Sequence, residues 1–348
     1  MSKKNKSNRA KLIVNPGSGN ASNRGKLLEQ VAHSLRELGV KVDVVIAKPK
    51  KEAIPIARKA VKDGYRLIIA MGGDDTIEAI IRGMAGSKAH LGMIPVGTAN
   101  NLAKSLGIPE DPQLACELIA SGKFRKLDMG RVKVRKGKKL VFFELVVVGL
   151  GAAIYPSALH VRKGKLSAIK SLVQTALTHE SQPKVTVVID GESTITLDTM
   201  LAIVSNVPLI GPNMLVDPNA SLDDGLLDVS LYPNFTKSEL LAYSTKVMGE
   251  ENKNTKDGKI QRYRAHTMKI TASPKLDVMA DGVMLGKGTV KIKVLEGALR
   301  VIAPEVGFGV EKQQSEARAD LPAPVAPVAE NIDIPENNGK SPAVIKEK

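Results

Sequence analysis

A short turn that could bind phosphate follows an apolar segment in the first third of the chain. The apolar residues 67–71 end in the sequence Gly-Gly-Asp-Asp-Thr at 72–76. Glycines let the backbone come close to a ligand because no Cβ intervenes, and N–H groups at the start of a helix favour an anion. Asp74 in the same turn would repel bare phosphate, so the pattern favours phosphate bound together with a divalent cation. An ordinary turn in which Asp75 or Thr76 caps the helix is the alternative.

Two further segments have the same design. Residues 12–20 and 94–103 each read as a short strand that runs into a turn of small polar residues. In a parallel sheet such turns gather at the carboxyl ends of the strands, where ligands bind. We therefore expect all three turns to line one site.

The chain divides into four regions by pattern. Residues 1–10 are predicted to be a disordered basic arm, and 11–125 alternate strand and helix, which predicts a doubly wound α/β nucleotide-binding domain. Residues 126–310 contain many short strands with turn signals, which predicts an antiparallel β-sandwich domain. The Pro- and Ala-rich residues 311–348 are predicted to be a disordered tail.

Several strands of the second region can be placed. Residues 131–139 alternate, turn at Gly137 and lead into a predicted strand over 140–148, although Glu144 interrupts the apolar pattern of that strand. The pattern also predicts separate strands at 194–197 and 201–206, a strand at 290–294, and helices near 166–177 and 238–248.

Ordered motifs along the chain give the clearest indication of family. They are 15–19 (Asn-Pro-Gly-Ser-Gly), 72–76, 97–109, 223–229 (Asp-Asp-Gly-Leu-Leu-Asp-Val), 281–282 and 297–304. Together they resemble the diacylglycerol kinase catalytic domain, a family that includes sphingosine and ceramide kinases and bacterial lipid kinases. The resemblance spans roughly residues 10–305 and implies ATP and Mg²⁺ as cofactors. It also implies that residues 126–310 form the domain for the lipid substrate, with the active site in the cleft between the two domains.

The resemblance also implies roles for particular residues. Those expected to bind the nucleotide are Asn15, Ser18, Gly72, Gly73, Asp74, Thr76, Gly97, Thr98 and Asn100. For Asn100, capping a helix or holding the loop is an equally good interpretation. A structural cation is implied at the Asp224 carboxylate, with the carbonyl groups of Ser221 and Leu226, whereas the residues alone also fit a type I turn.

Departures from the family pattern affect the chemistry. Asp75 stands where the family usually has glycine, and Glu78-Ala79 replaces Asn-Glu. The usual Asp-Gly-Glu reads Asp281-Gly282-Val283, so the glutamate that is the family's candidate general base is missing. Loss of one such base typically costs about 10²–10⁴-fold in rate. Three explanations stay open: a carboxylate of Asp74, Asp75 or Asp281 substitutes, the acceptor needs little base, or kinase activity has been lost.

Charge and composition restrict the partners. The formal net charge is +15, and basic residues cluster at the N-terminus, at 131–139 and at 246–275. Aromatic residues make up only 3% of the chain, which disfavours nucleic acid and favours an anionic membrane surface. No apolar run reaches the roughly 20 residues needed to span a bilayer. With Cys116 as the one cysteine, a cytoplasmic protein that binds peripherally at the inner membrane surface is expected.

The sequence thus predicts a lipid kinase that transfers the γ-phosphate of Mg-ATP to a lipid hydroxyl, with a diacylglycerol-like acceptor. A kinase of soluble substrates resembling the NAD kinases is one alternative. A catalytically silent regulator that binds nucleotide or lipid is another, and Val283 supports it. Dimers occur often in the family, which leaves a homodimer open.

Overall fold

The computed structural model describes residues 9–17, 24–47, 52–98, 100–154, 183–210, 214–215, 217, 220–240 and 258–304. The predicted helix at 166–177, most of that at 238–248, the basic arm up to residue 8 and the predicted tail lie outside these residues.

The first region is an α/β layer. Its strands are β1 (Ala10–Val14), β2 (Val42–Ile46), β3 (Leu67–Gly72) and β4 (His90–Pro95), which pair in parallel in the order β4-β3-β1-β2. Its helices are α1 (Arg24–Glu37), α2 (Ala53–Lys62), α3 (Asp74–Met84), α4 (Asn101–Ser105) and α5 (Pro112–Ser121). The doubly wound arrangement predicted from the alternating pattern is confirmed.

Helices cover both faces of the central strands of this sheet, and successive side chains of each strand point to opposite faces. Ile13 packs with α2 and α3, whereas its neighbour Leu12 packs with α1 and α5. Cys116 on α5 is fully buried in the second cluster, and burial raises the pKa of its thiol to about 11. Cys116 therefore packs in this core as a small hydrophobic side chain.

The second region is rich in strands. They are β5 (Phe124–Val134), β6 (Lys139–Phe142), β7 (Leu145–Gly149), β8 (Lys184–Ile189), β9 (Ser193–Ser205), β10 (Leu209–Ile210), β11 (Met214–Leu215), β12 (Leu227–Pro233), β13 (Gln261–Ala265), β14 (Thr267–Ser273), β15 (Asp277–Ala280), β16 (Val283–Lys287) and β17 (Val290–Ile302). Two layers of these strands enclose one aliphatic core, in which Val132 and Ile292 of one layer meet Val146 and Val229 of the other. The predicted antiparallel sandwich is confirmed.

Two long strands join the regions. β5 pairs with β17 along most of its length, and the end of β17 pairs in parallel with β4 at Arg300 and His90. The chain therefore returns to the α/β sheet after completing the sandwich, and the boundary predicted between residues 125 and 126 lies inside β5. Fifteen of the strands in the described residues form one continuous sheet.

Four predicted strands differ from those observed. The predicted strand at 140–148 is two strands, β6 and β7, because residues 143 and 144 leave the ladder and the N–H groups of residues 143–145 turn toward Asp281. The predicted strands at 194–197 and 201–206 are one strand, β9, which bends from one layer into the other and pairs first with β8 and then with β7. The strand predicted at 290–294 continues to Ile302.

Close packing at Gly130 gives a test of the β5–β6 hairpin. A Cβ added at Gly130 would lie 2.0 Å from Cζ of the buried Phe142 ring. We expect Gly130→Ala to lower the free energy of unfolding by about 1–3 kcal/mol because the ring must shift within a packed core. Urea denaturation measures the change.

Gly25→Ala is the matched control, because Gly25 lies in helix α1 with nothing within 4 Å of an added Cβ. We expect it to leave stability unchanged or raise it by up to about 1 kcal/mol. Equal effects of the two substitutions would contradict the described packing of the hairpin.

Candidate active site

The three glycine-containing or small-residue turns come together. Strands β1, β3 and β4 are neighbours, so the turns that follow them share one edge of the sheet. The buried side chain of Asn15 after β1 donates from Nδ2 to Oγ1 of Thr76 on α3 at 2.8 Å. Its Oδ1 accepts the N–H of Gly17, also at 2.8 Å. Asn15 thus fixes the first turn against the start of α3. The first and second turns therefore lie together at the sheet edge, as we expected from the sequence.

The close approach of backbone segments explains why glycine stands at positions 72, 73 and 97. A Cβ at Gly97 would lie 2.4 Å from Cα of Gly73, and a Cβ at Gly73 would lie 3.1 Å from Cα of Gly97. A Cβ at Gly72 would lie 2.7 Å from Cβ of Thr76. The turns after β3 and β4 therefore touch backbone to backbone, and the edge of the sheet presents peptide groups in place of side chains.

Asn100 holds the third turn. Its Oδ1 accepts the N–H of Gly97 at 3.0 Å, and its Nδ2 donates to the Gly97 carbonyl at 3.1 Å and to Glu110 at 3.2 Å. The residue is buried and has a left-handed backbone conformation with φ of 53°. These bonds match the loop-holding alternative of the sequence analysis. Thr98 is exposed, and Ser18 lies outside the described residues.

The two aspartates of the second turn differ in environment. Asp74 is half-buried at the start of α3, and among the described residues its buried Oδ1 has no hydrogen-bond partner. Asp75 is exposed. Burial of an oxygen that makes no bond is costly unless a ligand or ion compensates it, so Asp74 is the better placed of the two for a bound group.

Asp281 lies across from this edge in the turn between β15 and β16. Its Oδ2 accepts the N–H of Phe143 at 2.7 Å, and its Oδ1 accepts those of Glu144 and Leu145 at 3.0 and 3.1 Å. Asp281 and Gly282 have φ of 41° and 70°, as primed hairpin turns require. Burial raises the pKa of Asp281, although the three N–H bonds oppose that shift. Both oxygens are therefore engaged in holding the start of β7.

Glu144 is a candidate that the sequence analysis missed, although its interruption of an apolar run was the available signal. Its carboxyl makes no hydrogen bond or ion pair with the described residues. Burial raises its pKa well above the ordinary range, and Glu78, Asp281 and Asp74 raise it further against the charge of Arg82. Glu78 is itself paired with Arg82 at 2.8 Å. Glu144 thus brings an uncommitted carboxyl from the sandwich to the acidic start of α3.

A second missed group connects the later motifs. The buried Asp128 of β5 accepts the N–H groups of Gly225 and Gly297, each at 2.7 Å. Asn206 donates to the carbonyl groups of Asp128 and Phe143, each at 3.0 Å. These bonds tie the Asp-Asp-Gly loop and the bulge of β17 to the segment that Asp281 holds.

The contacts of Asp224 do not fit the predicted cation. Its Oδ1 accepts the N–H of Leu226 at 3.0 Å, and its Oδ2 contacts the guanidinium of Arg264. The Ser221 hydroxyl bonds to Asp223. A cation would have to share or displace the guanidinium, so the site at Ser221, Asp224 and Leu226 stays a prediction.

Two other kinds of site are absent from the described parts of the chain. No group of three or more His, Cys, Asp or Glu side chains there could hold a metal ion. No helix in those parts combines the length and apolar character needed to cross a membrane.

Comparison with known proteins agrees with this arrangement. Residues 9–132 match the family model for the diacylglycerol kinase catalytic domain, and residues 144–303 match that for the YegS C-terminal NAD kinase beta sandwich-like domain. A probable lipid kinase YegS of Salmonella arizonae is 30% identical over 300 residues, which cover 84% of this chain and 95% of that protein. A diacylglycerol kinase of Mycobacterium tuberculosis is 25% identical over 298 residues, covering 85% and 95%.

The fold is also that of a solved structure. A diacylglycerol kinase from Bacillus anthracis superposes with a TM-score of 0.66 over 86% of this chain and 98% of that chain, at 20% identity. The two regions of this chain and the order of its motifs agree with the matched family models. The chain belongs to the diacylglycerol kinase catalytic domain family, in the branch of the YegS-like lipid kinases.

Proposed function

We propose that this protein transfers the γ-phosphate of ATP to the hydroxyl group of a lipid, with a diacylglycerol-like acceptor at an anionic membrane surface. The observation that carries the proposal is the contact between the Gly73 and Gly97 turns beside a buried oxygen of Asp74 that makes no hydrogen bond to the described residues. Relatives named diacylglycerol kinase and probable lipid kinase support the acceptor class.

The residues present fit ATP. Side-chain-free peptide groups at Gly72, Gly73 and Gly97 allow phosphate oxygens to approach the backbone, and the start of α3 favours their negative charge. Asn15 positions the Thr76 hydroxyl at the same edge. Ser18, Thr98 and Asn100 are assigned to the nucleotide only by family resemblance, and Asn100 contributes by shaping the loop.

The residues also fit Mg²⁺ near Asp74. A buried carboxylate oxygen without a partner is a suitable ligand for a hard cation. The ion, when bound, would neutralise phosphate charge during transfer. Asp74 would hold it, which accounts for a carboxylate in a phosphate-binding turn.

The missing glutamate leaves the general base to be assigned. Val283 packs against the aliphatic core of the sandwich, and Asp281 has both oxygens bonded to N–H groups. Asp75 is exposed. Glu144 differs from these acids because it is half-buried beside Asp74 and Asp281 and its carboxyl makes no bond to the described residues.

Glu144 is therefore the proposed base. It accepts the proton of the lipid hydroxyl as that oxygen attacks the γ-phosphorus, and ADP leaves with the electrons of the broken P–O bond. The raised pKa makes Glu144 a stronger proton acceptor than an exposed glutamate, once it is ionised. Its proton is then released to solvent.

A silent regulator is the second candidate function, and Val283 in place of the usual glutamate favours it. It would bind nucleotide in the same glycine-lined turns without transferring phosphate. Phosphate transfer distinguishes the two candidates.

The kinase proposal predicts that radiolabelled γ-phosphate of ATP appears in a lipid of a total lipid extract. Asp74→Ala should abolish the labelled product because the phosphates lose their cation ligand. Asp198→Ala is the control, since Asp198 is exposed and its side chain has no partner among the described residues. Thin-layer separation identifies the lipid. No labelled lipid from wild-type protein that binds ATP would favour the regulator.

The base assignment predicts that Glu144→Gln lowers kcat about 10²–10⁴-fold with little change in the KM for ATP. The wild-type rate should rise as pH increases through the raised pKa of Glu144, because the base acts only when deprotonated. In the variant the rate should no longer rise with pH in that range. Steady-state rates across pH measure both. The variant retains the charged neighbours of Glu144, so the change in rate reports on the Glu144 carboxyl itself. These neighbours are Asp74, Glu78, Arg82 and Asp281.

Glu117→Gln, on the exposed face of α5, is the matched control and should retain the wild-type rate. Asp75→Gly tests the other substitute for the missing glutamate. A Glu144→Gln enzyme with wild-type kcat, or a large loss confined to Asp75→Gly, would contradict the assignment to Glu144 and leave the kinase proposal intact.

A further inference from the structure

A row of lysines crosses the outer face of the sandwich. Lys139 of β6 pairs in register with Lys133 of β5, Lys133 with Lys291 of β17, and Lys291 with Lys269 of β14. All four are exposed. Because adjacent strands lie about 4.8 Å apart, the four ammonium groups form a row about 14 Å long.

A second row extends the charge. Two positions along the same strands, Arg131 of β5 pairs with Lys293 of β17, and both are exposed. We call these six residues the basic face; they are Arg131, Lys133, Lys139, Lys269, Lys291 and Lys293. Among the described residues none of the six makes an ion pair or side-chain hydrogen bond, and none has an acidic residue as its cross-strand partner.

Such an arrangement opposes folding. Like charges placed directly across strands repel, and every second residue of these strands is already used for the core, as with Val132, Ile292 and Ile270. The outward positions are free to carry neutral residues or opposite charges. A concentration of unpaired cations on one flat surface is therefore best explained by an anionic partner that covers it.

We propose that the basic face docks the protein on the surface of an anionic phospholipid bilayer. A row of flexible lysines across four strands can reach several phosphate groups of a bilayer surface at once, and each cation near such a surface strengthens binding. Nucleic acid fits less well. The basic face consists of lysine and arginine side chains and offers no aromatic ring for base stacking. It spans four strands, whereas the major groove admits an α-helix or a two-stranded ribbon.

The surface adds a location to the proposed function but does not depend on it. The test measures co-sedimentation of the full chain, without nucleotide, with vesicles of phosphatidylcholine alone or mixed with phosphatidylglycerol. Wild-type protein should bind only the anionic vesicles, and binding should weaken as salt increases. The triple variant Lys133→Gln, Lys269→Gln, Lys291→Gln should bind roughly 100-fold more weakly, at about fivefold for each charge removed.

The control removes the same charge elsewhere. Lys26, Lys41 and Lys88 are exposed in the α/β region, and changing all three to Gln should alter binding by less than about threefold. The thermal unfolding midpoint of the test variant should equal or exceed that of wild type, since repulsion is relieved. Equal weakening by both triple variants would overturn the proposal, and so would unchanged binding of the test variant. Loss of RNA or duplex DNA binding in the test variant, with vesicle binding unchanged, would also overturn it.

Discussion

The buried carboxyl of Asp281 is the interaction on which the site depends. It collects the N–H groups of three consecutive residues, 143–145, which would otherwise continue a β-ladder. The resulting break between β6 and β7 turns Glu144 out of the regular alternation and toward the acidic start of α3. A group that looks from its sequence like a catalytic acid thus has a structural task, since leaving those N–H groups unpaired inside the protein would be costly. The same bonds position the Glu144 carboxyl, which we propose as the general base in place of the glutamate that Val283 replaces.

The three hydrogen bonds of Asp281 to residues 143–145, which we call the clamp, connect to the α/β region because the sheet is continuous. The long strands β5 and β17 belong to both regions, so the glycine-lined edge of the α/β sheet and the hairpin of Asp281 are parts of one framework. Asp128 and Asn206 add buried bonds at the junction, from β5 to the Asp-Asp-Gly loop and to the segment after β6. Any cleft that holds both phosphate donor and acceptor needs such rigidity, because phosphoryl transfer is governed by positioning and charge.

The parts of the fold that depend on local pattern were predictable. Alternation of strand and helix with Gly-rich turns placed β1 to β4 and their helices, and Gly72, Gly73 and Gly97 proved to be positions without room for a side chain. The clamp was not predictable, because its partners are 136 to 138 residues apart and no local pattern joins them. Strand β9 was divided wrongly because its polar middle resembles a turn, whereas the strand in fact bends between two layers. The Asp224–Arg264 contact likewise depends on a pairing 40 residues away, which the motif alone cannot show.

The central claim is that the glycine-lined turns and Glu144 face one another across a single active site. A crystal structure with a non-hydrolysable ATP analogue, Mg²⁺ and a short-chain diacylglycerol would test it most directly. The account predicts the terminal phosphate against the backbone of Gly72 to Thr76, with the lipid hydroxyl between that phosphate and the Glu144 carboxylate. A nucleotide bound away from these turns would contradict it, as would a lipid hydroxyl that approaches the phosphate with Glu144 out of hydrogen-bonding reach.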